Sequence, residues 1–215
     1  MAIYFKASAL WQTGDLQAVE QLLENPGAFP LLRAAQAFYQ RRFADATKIL
    51  SDKLATETSR DRARFEEMFL GWSQQRSGDV AGARATFQKL AQELPGEIEA
   101  VAPGNFAAGW LHACLGVAHA GLGEAASAIA EGKRAMEIHP TAEDPVGGPV
   151  EEQMMARIYA MLSDPDHAIP ILQRLLQIPG GGDETITPAL LRLDPIWDPI
   201  RNDSRFQALA SGKKL

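Results

Sequence analysis

An interval that repeats constrains this chain more than any other feature. In "FLGWSQQRSGDVAGARATFQKLAQELP", Phe69 to Pro95, the tiny Gly71 is followed after twelve residues by Ala83. Four more residues lead to the bulky Phe87, and eight more to Pro95. The same steps run from Gly116 to Ala128, Gly132 and Pro140, and from Ala156 to Ala168 and Leu172, with Pro179 one residue early. Ala34, Ala46 and Leu50 keep the first two intervals, as do Ala7, Val19 and Leu23. Turn formers lie between the paired small positions: Gly14-Asp15, Gly78-Asp79, Gly123-Glu124 and Asp164-Pro165-Asp166.

The spacing has a direct physical reading. Each segment of roughly a dozen residues reads as an amphipathic helix, marginal in water by itself. Two such helices joined by a tight turn make an antiparallel hairpin. A small residue in each helix lets the axes approach, and a large one a turn further fills the groove this leaves. Gly71 and Ala83 are therefore expected at close contacts, with Phe87 as the plug between neighbouring hairpins. Proline then stops the second helix, because it lacks an N–H and disfavours helical geometry before it.

The repeat has room for a sizeable core, since the chain has 215 residues, 46% of them hydrophobic. A formal charge of −6 gives no global field for nucleic acid, so no nucleic-acid partner is expected. The single cysteine, Cys114, excludes an intrachain disulfide framework and fits a reducing compartment. The start "MAIYFKASALWQTGDL" has no basic segment leading into a long apolar run, so no secretory signal is expected. Ala100 to Gly123 carries no Asp, Glu, Lys or Arg, yet its proline, asparagine, histidines and glycines favour a buried helix after a loop over a membrane span. The expected location is cytoplasmic.

The pattern resembles the tetratricopeptide repeat, a family with a 34-residue unit. Leu70-Gly71, Ala83, Phe87 and Pro95 match its signature in order, and Leu115-Gly116, Ala128 and Pro140 match again. The resemblance implies an all-α fold, an α-α superhelix in which about five hairpins form a solenoid. Here the units depart from 34 residues, with 45 from Gly71 to Gly116 and 40 from Gly116 to Ala156. The excess falls in "PGEIEAVAPGNFAAG" and "HPTAEDPVGGPVEE", read as inter-repeat loops. The first two units lie only 27 residues apart, so the first is expected to have a clipped second helix.

The tail "ITPALLRLDPIWDPIRNDSRFQALA" breaks the repeat. Asp194-Pro195 and Asp198-Pro199 read as helix caps with proline at the first helical position. Trp197 and Phe206 are expected to cover the apolar end of the last hairpin, as a solenoid requires. The expected division is a solenoid over 1–182 and a capping segment over 183–215. The segments "AIAEGKRAMEIHP" and "LLRLDPIWDPIRNDSRF" resemble the repeat regions of bacterial multidomain signalling proteins, which follow a kinase, cyclase or DNA-binding domain. That likeness implies a regulatory or sensor arm.

Chemistry is weakly signalled. His112 and His119 are seven residues apart, about 10 Å of helix rise, where helical metal pairs stand three or four apart. Cys114 has no basic neighbour in sequence. "PGGGD", Pro179 to Asp183, lacks the phosphate-loop lysine and reads as a flexible loop. Asp194, Asp198 and Asp203 lack the order of a calcium loop. Glu151-Glu152 read as solvated charge. No catalytic residue, metal or cofactor is expected. The competing enzyme reading is a metal-dependent hydrolase around His112 and His119.

In the resembled family, first helices line the inside of the superhelix. Carrying its inward offsets over gives a partner groove of Tyr4 and Trp11, then Leu31, Phe38 and Tyr39, then Phe65, Met68, Trp72, Gln75 and Arg76. Trp110, Gln153 and Arg157 complete it. The Lys and Asn with which chaperone-tail binders hold a terminal carboxylate are replaced here by Tyr4 and Ser8. The aromatic character favours a partly apolar protein or peptide segment, and Trp72 is expected to point off the packing face. A structural module that self-associates, as a homodimer, is the third reading.

Overall fold

The structure, a computed structural model, describes residues 2–25, 28–102, 105–145, 147–178 and 185–212, without the side chains of 60–62 and 106. Among these residues the chain is helical throughout, with no strand. The helices come as successive antiparallel pairs: α1 (Ala2–Thr13) with α2 (Leu16–Leu22), α3 (Pro30–Tyr39) with α4 (Phe43–Leu54), and α5 (Arg60–Ser77) with α6 (Val80–Ala100). Then come α7 (Phe106–Leu122) with α8 (Ala125–Ile138), and α9 (Gly148–Met161) with α10 (Pro165–Leu175). Each pair packs on the next, which makes an all-α solenoid.

The turns explain the pairing. Gly78 and Gly123 end their helices at φ +84° and +80°, the left-handed conformation that glycine adopts without a Cβ penalty. The residue after such a glycine opens the next helix. Asp15 Oδ1 accepts from Ala18 N at 2.9 Å and Asp79 Oδ1 from Gly82 N at 2.9 Å, each satisfying an otherwise orphaned donor. α2 is short, as the 27-residue first unit implies.

The expected notch and peg is present. Phe87 is fully buried, and its ring lies against both Gly71 of α5 and Gly121 of α7. The following junction inverts the roles. There the peg is Ile158 of α9, whose Cδ1 would stand 2.7 Å from a Cβ on Gly116 and 2.9 Å from one on Gly132. Neighbouring hairpins thus interlock through glycine on one side and a bulky apolar residue on the other.

Several local expectations are overturned. Pro95 does not stop α6, which runs through it to Ala100, so much of "PGEIEAVAPGNFAAG" is helix. The missing N–H costs one bond, while Leu90, Leu94 and Ile98 keep one apolar face against the core on either side of the proline. Arg64, bonded to Glu93 at 2.8 Å and also to Glu97, ties the two sides of Pro95 to α5. In "HPTAEDPVGGPVEE" the loop ends at Gly147 and the rest is α9. Glu151 and Glu152 are not solvated, at 2% and 6% exposed. They sit on α9, which packs against α7, α8 and α10. Glu152 meets Arg174 and the Thr141 hydroxyl, and Glu151 faces His139 at 3.8 Å. Pro179 and the "PGGGD" segment lie outside the described residues.

The C-terminal segment forms α11 (Pro188–Leu193), a 3-10 helix (Pro195–Ile200) and α12 (Ser204–Ala210). Asp194 caps the 3-10 helix, with Oδ1 accepting from Ile196 N at 2.9 Å. Asp198 caps nothing. Pro199 lies inside that helix, and the Asp198 carboxylate instead accepts a two-bonded grip from Arg41 at 2.7 and 2.9 Å. Trp197 and Phe206 are buried, their rings 6.5 Å apart, where the segment packs on α9 and α10. The same segment also reaches the first hairpin. α11 packs on α1, Leu190 joins the cluster of Ala7, Trp11 and Val19, and the Thr187 hydroxyl donates to Gln12 O at 2.9 Å. The tail therefore bridges the two ends of the described array.

Candidate functional site

Four of the five first helices, α1, α3, α5 and α9, present one face each to a common pocket of about 110 Å3. Tyr4, Ser8 and Trp11 come from α1, spaced as one helical face. Leu31, Leu32, Ala35, Phe38 and Tyr39 come from α3, and Phe65, Phe69 and Trp72 from α5. Gln153 and Arg157 come from α9, and Leu190 and Asp194 from the tail. The walls are an aromatic array: Trp11 meets Tyr39 edge-on at 5.3 Å, and Phe38 meets Phe69 at 5.1 Å. Trp11 is fixed further by its Nε1, which donates to Gln36 Oε1 at 2.8 Å.

Of the residues expected to line a groove, Tyr4, Trp11, Leu31, Phe38, Tyr39, Phe65, Trp72, Gln153 and Arg157 meet at this pocket. Met68 does not; it is buried in the core. Trp110 stacks on Phe65 at 6.3 Å, outside the pocket, because α7 sits behind α5 and α9. Gln75 and Arg76 lie beyond the pocket wall at the end of α5.

Trp72 corrects the expectation that it points off the packing face. It is 4% exposed, its Nε1 donates to Met161 Sδ at 3.3 Å, and the Arg157 guanidinium stands 5.5 Å above its ring. A wall residue locked between α5 and α9 is part of the core as much as of the pocket. Sequence reasoning missed Leu190 and Asp194, whose contribution depends on the tail crossing to the first hairpin.

The polar end of the pocket is Arg157 and Asp194, with Nη2 and Oδ2 3.8 Å apart. Burial pushes the Asp194 carboxyl above its usual range, against the pull of Arg157. Asp198 shows the opposite balance. Burial pushes it up, but the bonds from Arg41 and Arg201 outweigh that and hold it low. On the far side of α5, a recess of about 500 Å3 is lined partly by Arg64, Glu67, Lys89 and Glu93, which pair among themselves.

The histidines do not converge. His112 pairs with Glu131 and His119 with Glu124, each at 2.6 Å. Among the described residues no group of three or more His, Cys, Asp and Glu comes together to hold a metal. Cys114 is enclosed, and burial pushes its thiol well up, away from the nucleophilic thiolate. No helix among the described residues is long and apolar enough to cross a membrane.

Residues 70–96, the end of α5 and most of α6, match the family model of the tetratricopeptide repeat. With the helical array, this supports a relationship to that family and a protein-interaction scaffold. Neither the curated proteins nor the solved structures contain a match to the chain.

Proposed function

We propose that this protein is a non-enzymatic scaffold that recognises a partly apolar protein segment at the aromatic pocket. The observation that carries this reading is the convergence of four first helices and the tail on one pocket of about 110 Å3. That volume suits one anchoring side chain, whereas small-molecule sites run to roughly 300–1,000 Å3. An aromatic-walled socket for a buried anchor is the usual source of affinity in such interfaces. The tail's likeness to bacterial signalling proteins supports a cytoplasmic regulatory arm, with residues 1–182 as solenoid and 183–215 as its cap.

The test is selection of binders from a random displayed peptide library. Peptides with a recurrent apolar anchor should emerge, and Ala35→Trp, which fills the pocket, should lose them while keeping helical circular dichroism. Selection of nothing, or equal retention by Ala35→Trp, would count against the pocket. A homodimer is the second reading, favoured by Tyr4, Phe5 and Phe29, which are 39%, 53% and 41% exposed on the first hairpins. Light scattering across concentrations separates the two.

A further inference from the structure

The corner behind the pocket carries unbalanced charge. Asp198 is held by Arg41 at 2.7 and 2.9 Å and by Arg201 at 2.7 Å. Asp194 faces Arg157 at 3.8 Å. Arg201 spends its remaining donors on main-chain oxygens, at 2.8 Å to Arg192 O and 2.9 Å to Asp194 O. Arg76, at the last turn of α5, lies within electrostatic reach of the same two carboxylates and of the guanidinium groups of Arg41 and Arg201. Four arginines stand against two aspartates, an excess of two positive charges.

Arg76 is the arginine left over. Its Nε is buried without a hydrogen-bond partner. Burial pushes its pKa down, the sign of a cation whose lost hydration is not repaid. Such a group costs free energy in the unliganded protein. The corner stays open to solvent at Arg41, whose side chain is 47% exposed.

We propose that this corner recognises an acidic side chain of the bound segment. Resting on the scaffold reading above, the inference is that Arg76 receives an Asp or Glu carboxylate while its apolar neighbour enters the aromatic pocket. A guanidinium fork matches a carboxylate in plane and in charge, and needs no chain terminus. Charge complementarity, rather than the apolar walls, then sets the register of the segment.

The experiment pans a displayed random peptide library, which offers no free C-terminus, against the wild-type protein and against Arg76→Gln. Wild-type binders should carry Asp or Glu at a constant spacing from the apolar anchor. Changing that acid to its amide should weaken binding about tenfold or more, as for a hydrogen bond to a charged group. Arg76→Gln should erase the difference while its Tm stays equal to wild type or rises, which a purely structural arginine would not allow. Arg76→Lys keeps the charge and should keep a reduced preference, so it carries the test should the glutamine variant misfold. Apolar binders without an acidic preference would overturn this inference and leave the scaffold standing. No binders at all would overturn both. Inorganic phosphate that raises the Tm of wild type but not of Arg76→Gln, with no acidic peptides selected, would mark a free-anion site and also overturn it.

Discussion

The ring edge of Phe87 stands 2.6 Å from where a Cβ on Gly71 would lie. A real Cβ does not come that close to a non-bonded carbon, so the glycine is a notch cut to the phenylalanine. Phe87→Ala should lower stability by about 3–5 kcal/mol, and Gly71→Leu by about 1–3 kcal/mol. The pair shares one space, so the double variant should cost less than the two losses added. Urea unfolding of the cycle measures this. Strict additivity would separate the two residues.

Trp72→Ala should behave as a core truncation, costing about 3–5 kcal/mol, because the indole fills the space between α5, Met161 and Arg157. Chemical denaturation reads the change. A loss below about 0.5 kcal/mol, the range of ordinary surface substitutions, would place Trp72 at an open surface instead.

Acid should weaken the fold through particular carboxylates. The bond from Arg205 holds Asp203 at about 2, and the bond from Lys53 holds Glu57 at about 2. Both values lie below those of the unfolded chain, roughly 4. Their contribution is therefore whole above that value and is lost as pH falls through the folded one. Tm should stay level from neutral pH to about 5, then fall towards pH 2. Asp203→Asn should shrink that fall, and an unchanged acid slope would remove Asp203 from it.

Thr187→Val should cost about 1–3 kcal/mol, because the hydroxyl both donates to the distant Gln12 O and caps α11 by accepting from Leu190 N at 3.1 Å. The loss should appear in thermal unfolding as one cooperative transition, since the tail and first hairpin share a cluster through Leu190.

How much of this was legible in the sequence follows the range of the interactions. The notch at Gly71, the peg at Phe87 and the Gly-Asp turns are set by residues close along the chain, and their spacing gave them away. Pro95 was misread because its local penalty is outweighed by Leu90, Leu94 and Ile98 on one buried stripe. Glu151 and Glu152 looked solvated because their partners, His139, Thr141 and Arg174, become visible only once α9 is enclosed. The pocket was half legible. The inward positions implied by the family resemblance found Trp11, Phe38 and Phe65, but Leu190 and Asp194 enter through a contact between opposite ends of the chain, which no local period records.

The same long-range contact brings Gly14 of the first hairpin against Ala189 of α11. A Cβ on Gly14 would lie 3.5 Å from Ala189 Cβ, within the separation a disulfide spans. The variant Gly14→Cys with Ala189→Cys should close a disulfide under mild oxidation, even with the strain of a side chain at φ +87°. Cys114, enclosed in the core, should not compete. Thiol titration and non-reducing electrophoresis of the folded protein read the result. Loss of both new thiols with a faster-migrating monomer is expected if the tail closes the inner face against the first hairpin. Two thiols that remain titratable would contradict that closure.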